Sequence, residues 1–254
     1  SGRRQDKHLA KMIELLSERG LSLSWARYVA DDPEQIIDTL KQSFASGDVV
    51  FSTGGIGATP DDHTRAAAAN ALGLQLALHP QAKELITARI VTSAEGDPIK
   101  ADLNRPENQH RFKMGEFPVG SEIIPNSYNQ IPGFRIAEHH FVPGFPVMAG
   151  PMMAWCLDHH YADLFHQSNW LEQSFIVPSG IESTLTPLME TVEHEFQGLK
   201  VFSLPSVGDP SRGGVFAKRH IELGVKGEAH LVPQALEKLK QGTADLGFEV
   251  YIHQ

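Results

Sequence analysis

The sequence predicts a layered α/β domain followed by a smaller α+β domain, and three features carry that expectation. Helical and strand-like hydrophobic periods alternate through the first two-thirds of the chain. Within them, the apolar run Val49-Val50-Phe51 leads through a glycine-rich stretch into an alanine-rich helical pattern. After about Gln167 the pattern changes, reading strand, helix, strand, strand, helix, strand, the order of a ferredoxin-like or split βαβ unit. The domain boundary is placed near Asn169, giving units of residues 1–168 and 169–254.

The elements follow from local chemistry. Leu9, Met12, Ile13, Leu15 and Leu16 recur at helical spacing over residues 6–19, with Gly20 as the stop. Leu21, Leu23 and Trp25 alternate with other residues as a strand would. Asp31-Asp32-Pro33 opens a helix whose buried stripe is Ile36, Ile37, Leu40 and Phe44. The glycine-rich stretch comes next, and Asp61 or Asp62 is placed to cap the helix carrying residues 66–72. A further helix follows Pro80, and residues 94–118 read as a loop or small excursion over a site. Ile123-Ile124 and residues 134–142 read as strands, and Pro143-Gly144-Phe145-Pro146 leads into a helix through Met152, Trp155 and Leu157.

In the second domain the expected strands are residues 174–177, 200–204, 214–223 and 248–252. The expected helices are residues 182–196 and 233–242. A chain that starts on a helix is unusual for an α/β unit, so a strand is expected ahead of Ser1 in the native protein.

Bulk properties narrow the function. The chain has 254 residues, enough to bury a core without staples. Acidic residues outnumber basic ones by 31 to 22, for a net charge of −9, which argues against nonspecific binding to nucleic acid or anionic membranes. The single Cys156 rules out an internal disulfide, and no signal peptide or membrane span is visible, so a cytoplasmic protein is expected.

The chemistry concentrates at one place. Gly54, Gly55 and Gly57 follow a strand and precede a helix start, an arrangement that can hold a phosphate on backbone amides and the helix dipole. The spacing matches neither GxGxxG nor GxxxxGK[ST], and a tight strand-to-helix turn with a capping Asp has the same pattern. Asp31, Asp61 and Asp62 all fall at strand-to-helix junctions, and beside a phosphate they make sense with a hard cation such as Mg²⁺ between. Arg111 and Lys113 are sources of positive charge. His139-His140 and His159-His160 have adjacent rather than chelating spacing. Cys156 and the methionines 148, 152 and 153 read as core.

At the loop, Ser52-Thr53-Gly54-Gly55-Ile56-Gly57-Ala58-Thr59-Pro60-Asp61-Asp62-His63-Thr64 resembles the TTGGxGxTxDDxT signature of the molybdopterin-binding domain of MoaB/MogA and CinA-type proteins. The likeness extends back through Asp31-Asp32-Pro33 to Gly2-Arg3-Arg4-Gln5-Asp6. Forward it includes Phe112-Lys113-Met114, Ile124-Pro125-Asn126, Pro132-Gly133-Phe134 and Val142-Pro143-Gly144-Phe145-Pro146, so it covers about residues 1–165.

The resemblance implies a three-layer α/β/α fold and a homo-oligomer. It also implies a small phosphate-bearing ligand, molybdopterin or an adenine dinucleotide of the ADP-ribose or FAD class, with metal-dependent pyrophosphate hydrolysis in some relatives. Carried over, Thr53, Gly54, Gly55, Gly57, Asp61, Lys113, Asn126, Pro143 and Gly144 would bind the ligand. Asp31 and Asp62 would hold Mg²⁺ or another divalent metal and act in catalysis. Residues 170–254 resemble the second domain of CinA-type proteins, and the carboxy-terminal amidase domain of the longer ones has no counterpart. Two departures stand out: Met148 replaces the acidic residue of PGxPxE, and Asn129 replaces a glycine of PNxxGxxPG. A non-catalytic ligand-binding or scaffold protein with a degenerate metal site is the alternative.

Overall fold

The computed structural model describes residues 5–167 and 169–252, which fall into two units on either side of the Phe165–His166 bond. The first unit runs α1 (His8–Ser17), α2 (Pro33–Phe44), β1 (Val50–Thr53), α3 (Thr64–Leu72), β2 (Leu76–Leu78) and α4 (Pro80–Ser93). It continues through α5 (Pro98–Ala101), α6 (Pro106–Phe112), β3 (Glu116–Pro118), β4 (Glu122–Ile124), β5 (Gly133–Ile136), β6 (His139–Val142) and α7 (Pro146–His160).

The main sheet has the order β1-β6-β5-β4, with β1 and β6 parallel and the other pairs antiparallel. All four residues of β6 are buried, and their alternation sets the layers. Phe141 faces a core shared with Leu40 of α2 and Ala67 and Ala68 of α3. Val142 faces the opposite core, with Leu15 and Leu16 of α1 and Met152, Met153 and Cys156 of α7. The sheet is therefore sandwiched between helices in three layers. Phe117, Phe134 and Phe141 stack in sequence with ring centroids 4.7 and 4.4 Å apart. Burial pushes the Cys156 thiol up to about 12, so it behaves as a small core residue.

The second unit contains β7 (Trp170–Pro178), α8 (Glu182–Glu195), β8 (Lys200–Ser206), β9 (His220–Glu228) and α9 (Val232–Asp245). Its antiparallel sheet has the order β7-β9-β8, and Tyr251 bridges Ile176 on the other edge of β7. That gives the strand order of a ferredoxin-like unit. Phe175, Val177, Leu223 and Val225 of the sheet bury against Leu185, Val192, Leu236 and Leu239 of the helices. Among the described residues of both units, no helix is long and apolar enough to cross a membrane.

Several expectations are corrected. Residues 21–29 form no strand, and Leu23 and Trp25 stay exposed. Among the described residues β1 has no strand on that side, so the apolar alternation finds no ladder and the Trp25 indole donates to Asp48 instead (2.9 Å). Residues 94–118 are not an irregular excursion, because α5, α6 and β3 lie there and β3 pairs with β2. Residues 134–142 split into a hairpin at Ala137, which adopts a positive φ of 49°. The third strand of the second unit begins at His220, because positive φ at Gly213 and Gly214 turns the preceding residues into a short helical turn. The strand expected ahead of Ser1 and the motif residues Gly2, Arg3 and Arg4 lie outside the described residues.

Two histidines in the central strand give this unit an acid-sensitive core. His139 accepts or donates one hydrogen bond with the Ser43 hydroxyl (2.8 Å) and stacks on Phe44, while His140 stacks on Phe51. The Nδ1 atoms of both are buried without partners. Burial lowers His139 to about 4, against the pull of Glu138 and Asp48. Burial, helped by Arg135 and His160, lowers His140 to about 3. Both therefore fold neutral, and their contribution is fully present above the ordinary histidine value and lost as pH falls from there toward 4 and 3. Urea unfolding should accordingly show stability dropping by up to about 3 kcal/mol on account of His139 and about 5 kcal/mol on account of His140 between roughly pH 6.5 and the acid end. His140→Phe should flatten that slope, and an unchanged pH profile would contradict the assignment.

Candidate functional site

The loop after β1 is shaped by what its glycines touch. The Gly54 N–H donates to the Val142 carbonyl (2.9 Å), so the loop leaves the sheet at the shared C-terminal edge of β1 and β6. Gly54 and Gly55 both have positive φ, 95° and 68°. A Cβ on Gly144 would sit 3.3 Å from the Gly54 Cα, and the two backbones meet with no side chain between. A Cβ on Gly55 would lie 2.2 Å from the Thr64 hydroxyl oxygen, and one on Gly57 would lie 2.5 Å from an Asp62 carboxylate oxygen. Between them the buried Ile56 anchors the loop in the core beneath α2 and α3.

The loop's carbonyls and amides are treated differently. The Gly55 carbonyl accepts from the Thr64 N–H (2.9 Å), at the first residue of α3. The Gly57 carbonyl accepts from the Arg65 guanidinium (2.5 Å), and the Ala58 carbonyl is hydrogen-bonded to His110 Nε2 (2.8 Å). By contrast, the four consecutive N–H groups of residues 55–58 have no hydrogen-bond partner among the described residues. Pinned carbonyls with free amides, beside the N-terminus of a nine-residue helix, make a stretch of main chain that favours an anion.

The expected site residues divide into those at this loop and those elsewhere. Thr53 ends β1, exposed, and Pro143 and Gly144 lie against the start of the loop through the Gly54 contact. Asp62 does not cap α3. The N-cap is His63, and Asp62 closes the preceding turn by accepting from the Thr59 N–H (2.9 Å) and hydroxyl (2.5 Å). Asp61 is exposed, and its carbonyl accepts from the His63 N–H (3.1 Å). Lys113 contributes its carbonyl to Arg65, with its side chain exposed. Asn126 is buried, and its amide group donates to Asn129 Oδ1 and the Ile131 carbonyl (both 2.9 Å) and to the Met148 sulfur (3.5 Å). It fastens its own turn. Asp31 is exposed just ahead of Asp32, which is the true N-cap of α2 and accepts from Gln35.

Other contributors emerge only from the structure. His8 Nε2 lies 3.2 Å from the Gly144 carbonyl, which brings the start of α1 to the same sheet edge. Asp6 accepts from the His8 N–H (2.9 Å) and the Tyr28 hydroxyl (2.8 Å), and these two bonds hold its carboxyl below the ordinary value. Arg65 is the larger omission. It is only 7% exposed, and its guanidinium donates to the carbonyls of Gly57, Lys113 (2.5 Å) and Glu116 (3.3 Å). Burial lowers its pKa, opposed by Glu116 and Asp62, yet arginine remains charged. A single arginine in the first turn of an otherwise alanine-rich, buried helix was the available signal.

The donor set does not fit a divalent metal. Among the described residues no three of His, Cys, Asp and Glu are placed to hold one. One Asp62 oxygen already takes two hydrogen bonds from Thr59, and Met148, which stands where the PGxPxE motif has a carboxylate, offers a thioether that the Asn126 amide contacts.

Comparison with known proteins places these features in context. Residues 1–161 match the family model described as the probable molybdopterin binding domain. A CinA-like protein of Syntrophotalea carbinolica is 30% identical over 150 residues, covering 58% of this chain and 34% of that protein. A CinA-like protein of Anaeromyxobacter sp. (strain K) is 28% identical over 197 residues, covering 75% of this chain and 46% of the relative. The chain thus spans less than half the length of both relatives. A crystal structure of the protein CinA, of unknown function, from Thermoplasma acidophilum superposes with a TM-score of 0.51 at 22% identity. It covers 62% of this chain and 89% of that one, a likeness of fold.

The glycine contacts yield a paired prediction. Gly47 also has positive φ, 77°, but nothing lies within 4 Å of its would-be Cβ. Gly47→Ala should cost about 1 kcal/mol, from the backbone alone. Gly55→Ala adds the collision with Thr64 and should cost about 3 kcal/mol or more in denaturant unfolding. Equal costs would show that the Thr64 contact does not constrain the loop.

Proposed function

Because the chain belongs to the probable molybdopterin binding domain family over residues 1–161, we propose that it binds a small molecule through a phosphate group at the loop of residues 54–58. The proposed ligand is molybdopterin or an adenine dinucleotide of the ADP-ribose or FAD class. The observation that carries the reading is the row of four free N–H groups in residues 55–58 above three pinned carbonyls. Phosphate oxygens accept hydrogen bonds and cannot donate when ionised, so a run of unpaired donors favours them. The dipole of α3 adds partial positive charge at the same end. The close meeting of Gly54 and Gly144 leaves main chain, rather than side chains, at the mouth of the loop.

Of the two readings the family brings, binding without hydrolysis has the better support. One oxygen of Asp62 is taken up by Thr59, and no group of three metal-ligating side chains includes it among the described residues. No residue is therefore assigned the activation of a water molecule. The chain's work at this site is orientation: it fixes a phosphate and leaves the remainder of the ligand facing the exposed Phe145 and Val147 at the start of α7.

Thermal unfolding with molybdopterin, ADP-ribose and FAD tests the reading. At about a hundredfold excess over Kd, the bound ligand should raise the Tm by on the order of 5 °C. Gly54→Ala, which strains a backbone at φ 95°, should abolish the shift while the unliganded protein still unfolds cooperatively. No shift with any of the three ligands, or an equal shift in the variant, would sink the proposal.

A further inference from the structure

Resting on that ligand reading, we infer that Arg65 is the fixed cation of the glycine loop, and that the loop holds its anion without a divalent metal. The first ground is the kind of partner Arg65 has. Its three hydrogen bonds all go to main-chain carbonyls, and among the described residues no carboxylate lies within ion-pair distance. Its Nε is buried and unpartnered. Carbonyl oxygens orient a guanidinium but do not cancel its charge. A buried charge that feels Glu116 and Asp62 only at a distance, with no direct ion pair, is costly, and an arriving anion offsets part of that cost.

The second ground is position. Arg65 bonds the carbonyl of Gly57, whose own N–H is one of the four free donors. The charge therefore sits one peptide group behind the donor row, in the first turn of α3. Charge, peptide dipoles and helix end act with the same sign, against the Asp62 carboxylate packed beside Gly57, and burial of the guanidinium limits screening by water.

The third ground is how little the protein offers the competing cation. Even a phosphate-bridging Mg²⁺, with waters and phosphate oxygens in its shell, draws on one or two carboxylates. Asp62 lies turned into the Thr59 hydrogen bonds, and Asp31 sits exposed ahead of the α2 cap rather than in an acidic cluster. The guanidinium fork also suits the task in a way lysine would not. Its several fixed N–H directions reach the loop, Lys113 and Glu116 together, joining three chain segments at the charge.

Titration calorimetry of the whole chain with ADP-ribose, in EDTA and separately in Mg²⁺, tests this. Affinity should agree within about twofold between the two conditions, where a metal-bridged phosphate would lose more than tenfold in EDTA. Arg65→Gln should weaken ADP-ribose binding by at least about tenfold, Arg65→Lys should fall between, and binding of phosphate-free adenosine should be unaffected. A purely structural arginine would change both ligands alike. Should the glutamine variant not fold, the EDTA comparison on the unaltered protein still decides the metal question, and Arg65→Lys decides the charge. Binding only with Mg²⁺, or an unaltered affinity in Arg65→Gln, overturns the inference. Absence of binding by ADP-ribose, FAD and molybdopterin in both conditions overturns the ligand reading itself.

Discussion

A buried guanidinium surrounded by carbonyls is the constraint on which the rest of the first unit's site depends. By bonding Gly57, Lys113 and Glu116 together, Arg65 couples the glycine loop to the segment between α6 and β3. Each bond to a charged donor is worth more than a neutral one, and the three are shielded from water. Arg65 thereby pins the Gly57 carbonyl, Thr64 and His110 hold those of Gly55 and Ala58, and the amides of residues 55–58 stay without partners among the described residues. The glycines follow from the same packing: Thr64 and Asp62 lie so close that positions 55 and 57 have no room for a Cβ.

The sheet supplies the other half of the arrangement. Because β1 and β6 are parallel, their following loops emerge at one edge, and Gly54 and Gly144 meet there. The start of α1 joins them through His8, whose ring reaches the Gly144 carbonyl, and Asp6 ties in Tyr28. Segments far apart in the chain thus converge on a few backbone atoms. The alternation of β6, with His139 and Phe141 on one face and His140 and Val142 on the other, holds that edge between two helical layers.

Much of this was legible in the sequence. Hydrophobic spacing located α1, α2 and α4, the strand ahead of the glycine loop was evident, and Asp32 was rightly grouped with a helix start. The ordered motifs pointed to the fold and to the loop. What could not be read was which atoms the motif residues spend on one another. Asp62, read as a helix cap or a metal ligand, closes a turn on Thr59 with one oxygen, and Asn126, read as a ligand contact, also fastens residues 128–131. Arg65 stood out only as a lone arginine in an alanine-rich helix, and its burial was not readable because it depends on carbonyls supplied some fifty residues downstream. The alternating stretch at Leu21, Leu23 and Trp25 failed for a different reason, since a strand needs a neighbour and periodicity does not report one.

The side of β1 that carries no ladder among the described residues has its own bearing on how the protein behaves in solution. Unpaired main-chain groups along a sheet margin invite recruitment of another chain, the first step toward aggregates. Here the margin is only four residues long, and the acidic Asp48 stands just ahead of it, tethered to Trp25. Shortness and a neighbouring negative charge are the usual defences of such a margin, and the overall charge of −9 adds mutual repulsion between molecules. Among the described residues, the open flank and the glycine loop thus lie at different places on the same strand, the first along its side and the second where it ends.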